Sequence, residues 1–176
     1  MSLSDLAALG SFISGVAVVF SFIFLALQMR QSNSNQRSLM QQGRSARNIT
    51  TILQQTEPTM SETIVRAFQA DLTMPREQVR AFTGYAAAVF WSAEDSFLQF
   101  RKGMLDAESW STEDATLRAF MALPAYRVAW QMNRTQVRGE YRHYLDSLLR
   151  EVKPVKVYDE YSIWRDLMEK QLADAT

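Results

Sequence analysis

The sequence predicts an all-α protein in which one N-terminal transmembrane helix is followed by a helical bundle. Three observations support this prediction. An uncharged, apolar run of 24 residues extends from Leu6 to Met29. Apolar residues then recur at three- and four-residue spacing in most later segments, as they do on the buried face of a helix. No segment alternates apolar and polar residues over a length that would indicate a β-strand.

The run from Leu6 to Met29 is long enough to span a lipid bilayer. At about 1.5 Å per residue it forms a helix of roughly 36 Å, and the hydrocarbon core is about 30 Å thick. A cleaved signal peptide is disfavoured, because no basic residue precedes the run and Gln28-Met29-Arg30 offers no small-residue cleavage site. We therefore expect residues 1–30 to form a transmembrane anchor.

Charged residues flank this span asymmetrically, and the asymmetry predicts its orientation. Asp5 is the only charged residue before the span. Four arginines follow it within 18 residues: Arg30, Arg37, Arg44 and Arg47. Because basic flanks stay on the cytoplasmic side, we expect the N-terminus to lie outside and the C-terminal domain to lie in the cytoplasm.

Small residues near the start of the span form overlapping pairs at four-residue spacing. The pairs are Gly10 with Ser14, and Ser11 with Gly15. Small residues at this spacing let a second helix approach closely, and a serine hydroxyl can hydrogen-bond across the contact. Gly and Ser also occur in membrane helices that make no such contact. These four residues are the candidate contact face with another membrane subunit or a second copy.

Residues 31–57 are polar and are expected to extend the membrane helix beyond the bilayer. Leu39, Ala46 and Leu53 recur every seven residues, but a seam this sparse does not indicate a coiled coil. The extension is expected to end near Glu57-Pro58, because proline restricts the residue before it.

Residues 58–176 are expected to form a helical cytoplasmic domain. The predicted helices are Ser61–Leu72, Pro75–Met104, one segment capped by Ser109 or Ser111, Pro124–Val137, Glu140–Val152 and Val157–Leu172. Gly103 suits the position that follows a helix C-terminus. Each tryptophan falls in a different predicted helix, where we expect it to fill the core. The four are Trp91, Trp110, Trp130 and Trp164.

Several short segments resemble those of a known group of proteins. The residues are the segment from Trp91 to Asp106 (WSAEDSFLQFRKGMLD), Trp110, a Pro-x-x-Arg-x-x-Trp segment at Pro124, Arg127 and Trp130, and Glu140-Tyr141-Arg142. With the apolar N-terminal helix and the Gln/Asn/Arg-rich stretch, they are similar to an uncharacterised bacterial family of single-span membrane proteins with a helical cytoplasmic domain. The resemblance covers most of the chain. It implies this architecture and attachment to the bacterial inner (cytoplasmic) membrane, and it assigns no activity or functional residue.

The charge balance and the absence of cysteine exclude some classes of function. Residues 1–50 carry a net charge of +3 and residues 51–176 carry −3, so the whole chain is neutral. A dedicated nucleic-acid binder needs a basic excess to neutralise phosphates, so no nucleic-acid partner is expected. Without cysteine the chain forms neither disulfides nor thiolate metal sites.

The most suggestive chemical pattern is the Glu-x-x-His sequence formed by Glu140 and His143. Di-iron helical bundles use two such motifs with two further glutamates. His143 is the only histidine in the chain, so a monomer cannot complete that site even if Glu94 and Asp95 supply carboxylates. We predict no catalytic, metal-binding or cofactor-binding residue and no cofactor.

Four arginines form a second candidate surface. At 100° per residue, Arg127, Arg134, Arg138 and Arg142 fall within about 80° of one another on a continuous helix. Arginines beside aromatic residues suit anionic lipid headgroups or an acidic partner surface. The alternative, favoured because Gly139 can break the stripe, is a solvated face that pairs with internal acids such as Glu108, Glu113 and Asp114.

These patterns favour a membrane-anchored, non-enzymatic helical interaction module. It would serve as an accessory or assembly subunit of a larger membrane complex, or associate with itself. The alternative is a membrane-tethered enzyme or metal-binding helical domain that uses His143 and nearby carboxylates.

Overall fold

The computed structural model describes residues 3–175 and is 85% helical. The elements are α1 (Leu3–Gln55), α2 (Pro58–Phe68), α3 (Arg76–Arg101), α4 (Ala107–Ala122), α5 (Pro124–Asn133), a 3-10 helix (Arg134–Gln136), α6 (Gly139–Glu151) and α7 (Glu160–Asp174). Between residues 3 and 175 there is no β-strand. The predicted all-α class is confirmed. Met1, Ser2 and Thr176, which fall within the predicted anchor and cytoplasmic domain, lie outside the described residues.

The chain divides into two compact units between Gly43 and Arg44. The described residues of the first unit, 3–43, all lie in α1. This helix is long and apolar enough to cross a membrane, and no residue of its most apolar 18-residue window is buried. The polar stretch that follows the apolar run is also helical, and α1 ends three residues before Pro58.

The second unit is a bundle whose core lies among α2 to α6. On α3, Phe82, Ala86, Phe90, Ala93 and Phe97 recur at three- and four-residue spacing, and all five are buried. The three- and four-residue spacing in the predicted helix Pro75–Met104 indicates a buried stripe of this kind. The largest fully buried side chains come from α3 to α6 and are Trp130, Tyr126, Tyr141, Phe90, Leu117, Met121, Leu145 and Leu148.

Helix ends depend on local hydrogen bonds, and several differ from the prediction. Asp106, not Ser109 or Ser111, caps α4, because its Oδ1 accepts a hydrogen bond from the backbone N–H of Ser109 at 2.8 Å. The helix predicted to run from Pro124 to Val137 ends at Asn133 and is followed by the 3-10 helix.

Gly103 follows the C-terminus of α3, as predicted. Its φ is +68°, a conformation that glycine adopts without strain. The backbone N–H of Gly103 donates to the Phe100 carbonyl at 2.9 Å, and that of Met104 donates to the Gln99 carbonyl at 2.9 Å. These are the two bonds of a Schellman motif, which satisfies carbonyls that the helix end leaves without partners.

The expectation that all four tryptophans fill the core is wrong for two of them. Trp130 is fully buried, and Trp110 is partly buried against Phe97. Trp91 is 48% exposed and Trp164 is 56% exposed. Trp91 lies outside the buried stripe of α3, and Trp164 lies on α7, in which no residue is buried.

Candidate functional site

The most exposed apolar helix of the bundle unit is α7. Asp159 caps it, since its Oδ1 accepts hydrogen bonds from the backbone N–H groups of Tyr161 at 3.1 Å and Ser162 at 3.3 Å. We call Tyr161, Trp164, Leu167 and Met168 the α7 face. At 100° per residue these four lie within about 120° of one another. All are exposed, up to 67% for Tyr161.

The segment before α7 attaches the start of this helix to the bundle. The backbone N–H of Val155 donates to the Ala122 carbonyl at 2.9 Å, and that of Tyr158 donates to the Phe68 carbonyl at 3.2 Å. The Tyr158 ring also meets the Phe68 ring edge-on, with 5.8 Å between centroids. The bundle therefore fixes where α7 begins without covering its apolar side chains.

A helix with an exposed apolar face, such as α7, is stabilised when another surface covers that face. An isolated helix of about 12–15 residues is only marginally stable in water, and packing of an apolar face supplies most helix stability in proteins. Contiguous exposed apolar side chains are typical of protein or membrane contact sites. The α7 face therefore has the character of a docking element.

An apolar groove opens on the bundle between the α2–α3 loop, α3 and α5, and we call it the α3–α5 groove. Its volume is about 240 Å³. Its apolar lining includes Ala67, Leu72, Val79, Phe82, Val128 and Met132. Leu72 is 98% exposed and Val128 is 56% exposed. The groove is thus a second apolar surface open to solvent.

One arginine holds the loop that forms the end of this groove. Arg66 Nε donates to Asp71 Oδ2 at 2.8 Å, and Arg66 Nη1 donates to Gln78 Oε1 at 3.0 Å. Asp71 also accepts from the hydroxyl and backbone N–H of Thr73, both at 2.7 Å. The Thr73 hydrogen bonds, with those from Arg66, lower the pKa of Asp71 to about 2. This network fixes the loop that carries Leu72 at the groove.

A mixed polar and apolar cavity of about 320 Å³ lies elsewhere in the bundle unit. It is lined by residues 48–55 of α1, by α3 residues that include Tyr85, and by α4 residues that include Glu113. Burial raises the pKa of Glu113, although Arg44 and Arg47 act in the opposite direction. Hydroxyl, amide and carboxyl groups beside apolar side chains suit a small polar molecule, but no histidine lines this cavity.

The four arginines predicted to form one surface lie on different elements. Arg127 is on α5, Arg134 is in the 3-10 helix, Arg138 precedes α6, and Arg142 is on α6. Their alignment on one face needs a continuous helix, and the α-helix is interrupted between Asn133 and Gly139. Their role toward lipid headgroups or a partner stays a prediction.

Three of these guanidinium groups bond within the bundle. Arg127 donates to carbonyl oxygens at three positions, Arg142 Nη2 donates to the Val137 carbonyl at 3.0 Å, and Arg134 Nη2 lies 2.5 Å from Asp146 Oδ2. The acid that pairs with Arg134 is on α6. The alternative of internal pairing therefore holds for Arg134.

The residues of the alternative metal or enzyme hypothesis do not converge. Glu140 and His143 are both exposed on α6. Glu94 Oε1 accepts a hydrogen bond from the backbone N–H of Arg138 at 2.7 Å, and Asp95 pairs with Arg47 at 2.9 Å. Across residues 3–175, no group of three or more His, Cys, Asp or Glu residues is placed to hold a metal ion.

The small residues on α1 are exposed, as a contact face requires. All four residues of this candidate contact face are exposed: Gly10, Ser11, Ser14 and Gly15. A Cβ atom added at Gly10 or Gly15 would meet no other atom within 4 Å. Their contact with a second helix stays a prediction.

Comparisons with protein-family models, with curated proteins and with solved structures give no match to this chain. The resemblance to a bacterial family of single-span proteins therefore rests on the residues alone and stays a prediction. Any functional conclusion depends on the surfaces described above.

Proposed function

We propose that this protein is a membrane-anchored, non-enzymatic interaction module of the bacterial inner membrane. Its bundle would bind other subunits of a membrane complex, or further copies of the chain, while α1 holds it at the bilayer. The observation that carries this proposal is the α7 face, in which four large apolar side chains lie exposed on one helix. A chain that has both an exposed apolar face and an apolar membrane helix suits the role of an accessory or assembly subunit.

The exposed α7 face supports binding to a partner more directly than His143 supports catalysis. When a partner covers exposed apolar surface, the free energy falls by about 25 cal/mol for each Å² that is buried. A general base instead needs a reacting group within hydrogen-bond reach. His143 is exposed on α6, and among residues 3–175 it belongs to no cluster of three or more His, Cys, Asp or Glu residues. The described geometry therefore gives the enzyme alternative no specific support.

The proposed orientation places the bundle in the cytoplasm. It is supported by the arginines at positions 30, 37, 44 and 47, which follow the apolar run. A reporter that is active only in the cytoplasm should be active when fused after residue 176. Activity of a periplasm-dependent reporter at the same position would reverse the orientation.

The α7 face provides a direct test of the interaction role. We expect the combined change Trp164→Glu and Leu167→Glu to abolish association of the full chain in mild detergent, because two charges would enter an apolar contact. Sedimentation and identification of co-purifying proteins measure this association. The double variant should stay in the membrane fraction, since α1 is unchanged.

The matched control adds the same charge to the other side of α7. Ser162→Glu with Ala173→Glu places two carboxylates about 100° or more from the stripe of Tyr161 and Trp164. This control should keep its association. The proposal fails if the wild-type chain is a monomer with no co-purifying protein, or if the two double variants associate equally.

A further inference from the structure

We propose that the α7 face of one copy docks in the α3–α5 groove of a second copy. This inference rests on the proposed function and names its partner. The two surfaces are of the same chemical kind. The α7 face presents two aromatic rings, a leucine and a methionine, and the groove presents Leu72, Val79, Val128 and Met132. A helix with an apolar face and a groove with an apolar lining form a common mode of recognition.

Charges beside the two surfaces are complementary. On α3, Arg76 and Arg80 flank the groove-lining Val79, and neither guanidinium forms an ion pair within residues 3–175. Glu77 also lies on this turn but points farther from the groove, at 100° per residue. Asp71, which lines the groove, is paired with Arg66 at 2.8 Å, so the unpaired charges on this neighbouring turn of α3 are mainly basic.

The flank of the α7 face is acidic. Glu160 and Asp174 fall within about 20° of Leu167 on the helical wheel, and neither forms an ion pair in the described part of the chain. Of the two bases on α7, Arg165 pairs with Asp166 at 3.4 Å and Glu169 at 3.9 Å. The other, Lys170, lies about 60° from Leu167, so two acids and one base share this flank. Acids on one surface and unpaired arginines on the other fix which way the two meet and suppress wrong pairings.

The same charges disfavour the bilayer as the cover for α7. Four acids and two bases lie between residues 160 and 174, which gives this helix a net charge of −2. Interfacial helices that bind anionic membranes carry lysine and arginine on their polar face. An acidic helix is repelled by such a surface, so a protein groove beside a mainly basic turn suits it better.

A second copy can satisfy both surfaces at once. In a two-fold dimer each copy gives its α7 and receives that of its partner. Two reciprocal contacts double the buried area toward the roughly 1,600 Å² of a standard stable interface. Within one chain, no α7 residue lines the groove, so both surfaces are open for this exchange.

The absence of cysteine makes a direct test of this contact simple. Leu167→Cys and Val128→Cys would each be the only cysteine in its chain. The two full-length variants carry different tags, are co-expressed, and are oxidised in mild detergent. A disulfide requires Cα atoms about 4.4–6.8 Å apart. We expect the mixed disulfide between the two variants to form several-fold faster than with Ser162→Cys in place of Leu167→Cys.

A charge exchange gives an independent readout. Arg76→Glu with Arg80→Glu should weaken dimerisation several-fold in sedimentation, because the acidic flank of α7 would meet a like charge. Adding Glu160→Arg and Asp174→Arg to the same chain should restore it. Thermal unfolding of each variant, followed by circular dichroism, verifies folding. Failure of the second pair to restore a lost dimer would overturn the proposed contact.

The remaining outcomes separate this inference from the proposed function. If Leu167→Cys chains form a disulfide with each other and none with Val128→Cys chains, α7 contacts α7 of the second copy. That result would reject docking in the α3–α5 groove. A wild-type monomer that co-purifies with a different protein would also reject the second copy, while it would support the interaction role. A wild-type monomer with no co-purifying protein would reject both.

Discussion

Trp130→Ala is expected to lower the free energy of unfolding of the bundle by about 4 kcal/mol, within the range for loss of a buried aromatic ring. Trp130 on α5 is fully buried, and its ring meets the rings of Phe90 and Tyr141 edge-on, with centroids 5.3 and 6.3 Å away. Removing the indole leaves a cavity at the meeting point of α3, α5 and α6. Urea unfolding of the full chain in mild detergent, followed by circular dichroism, measures the change.

A hydrogen bond adds to the cost of this change. The indole Nε1 donates to Asp146 Oδ1 at 2.9 Å, and Arg134 donates to the other carboxylate oxygen. Burial tends to raise the pKa of Asp146, but the hydrogen bonds from Arg134 and Trp130 outweigh it and lower the pKa. Trp130→Phe keeps much of the ring and loses this bond, so its expected cost is about 1–2 kcal/mol.

Trp91→Ala is the matched control for the buried ring. Trp91 is 48% exposed, so its removal is expected to change the stability by less than about 1 kcal/mol. If Trp91→Ala and Trp130→Ala lower the free energy of unfolding equally, Trp130 does not lie at the centre of the core.

The different fates of these two tryptophans show what the sequence could and could not indicate. Phe82, Phe90 and Phe97 fall within about 80° on α3, and Trp91 lies about 100° from the nearest of them. The position of Trp91 around the helix therefore already indicated that its side chain is exposed. For Trp110 and Trp130 the sequence gives the helix but not the neighbouring helix that the ring meets, which depends on tertiary packing.

Helix ends were less predictable than helix faces. Asp106 and Ser109 are both good capping residues, and their order in the chain does not reveal which side chain accepts the backbone N–H. The arginine surface lost its alignment for a related reason, while its role toward lipid headgroups or a partner stays a prediction. Its alignment assumed 100° per residue from Arg127 to Arg142, and the 3-10 helix and the residues around it break that phase.

The α7 face and the α3–α5 groove were not found from the sequence. Tyr161, Trp164 and Met168 have the spacing of an apolar helix face, which indicates that something covers them but not what. The groove is assembled from α2, the loop after it, α3 and α5, residues far apart in the chain. Only the packing of these elements places Leu72 beside Val128.

Arg127→Met is expected to lower the free energy of unfolding by on the order of 3 kcal/mol, because hydrogen bonds from charged groups are worth about 1.5–3 kcal/mol each and are not additive. Arg127 Nη1 donates to the carbonyls of Met121 at 2.9 Å and Val152 at 3.1 Å, and Nη2 donates to that of Leu149 at 2.8 Å. These carbonyls belong to the ends of α4 and α6, where the helices leave acceptors without partners.

The geometry of the guanidinium predicts how a lysine would behave at this position. Arg127→Lys keeps a positive charge near the two helix C-termini, which the helix dipoles favour. An ammonium on a flexible stem cannot hold both helix ends with a planar fork. We therefore expect Arg127→Lys to recover less than half of the stability lost in Arg127→Met. Full recovery would show that charge alone, and not the forked hydrogen bonding, matters here.

Limited proteolysis provides a second readout of the same change. Val152 begins the segment that leads to Val155 and Tyr158, whose backbone N–H groups attach it to the bundle. Loss of the Arg127 bond to Val152 should loosen this segment, so cleavage between α6 and α7 should become faster in Arg127→Met. The control is Arg101→Met, since Arg101 is exposed at the end of α3. Equal cleavage and equal stability in the two variants would mean that Arg127 does not join the ends of α4 and α6.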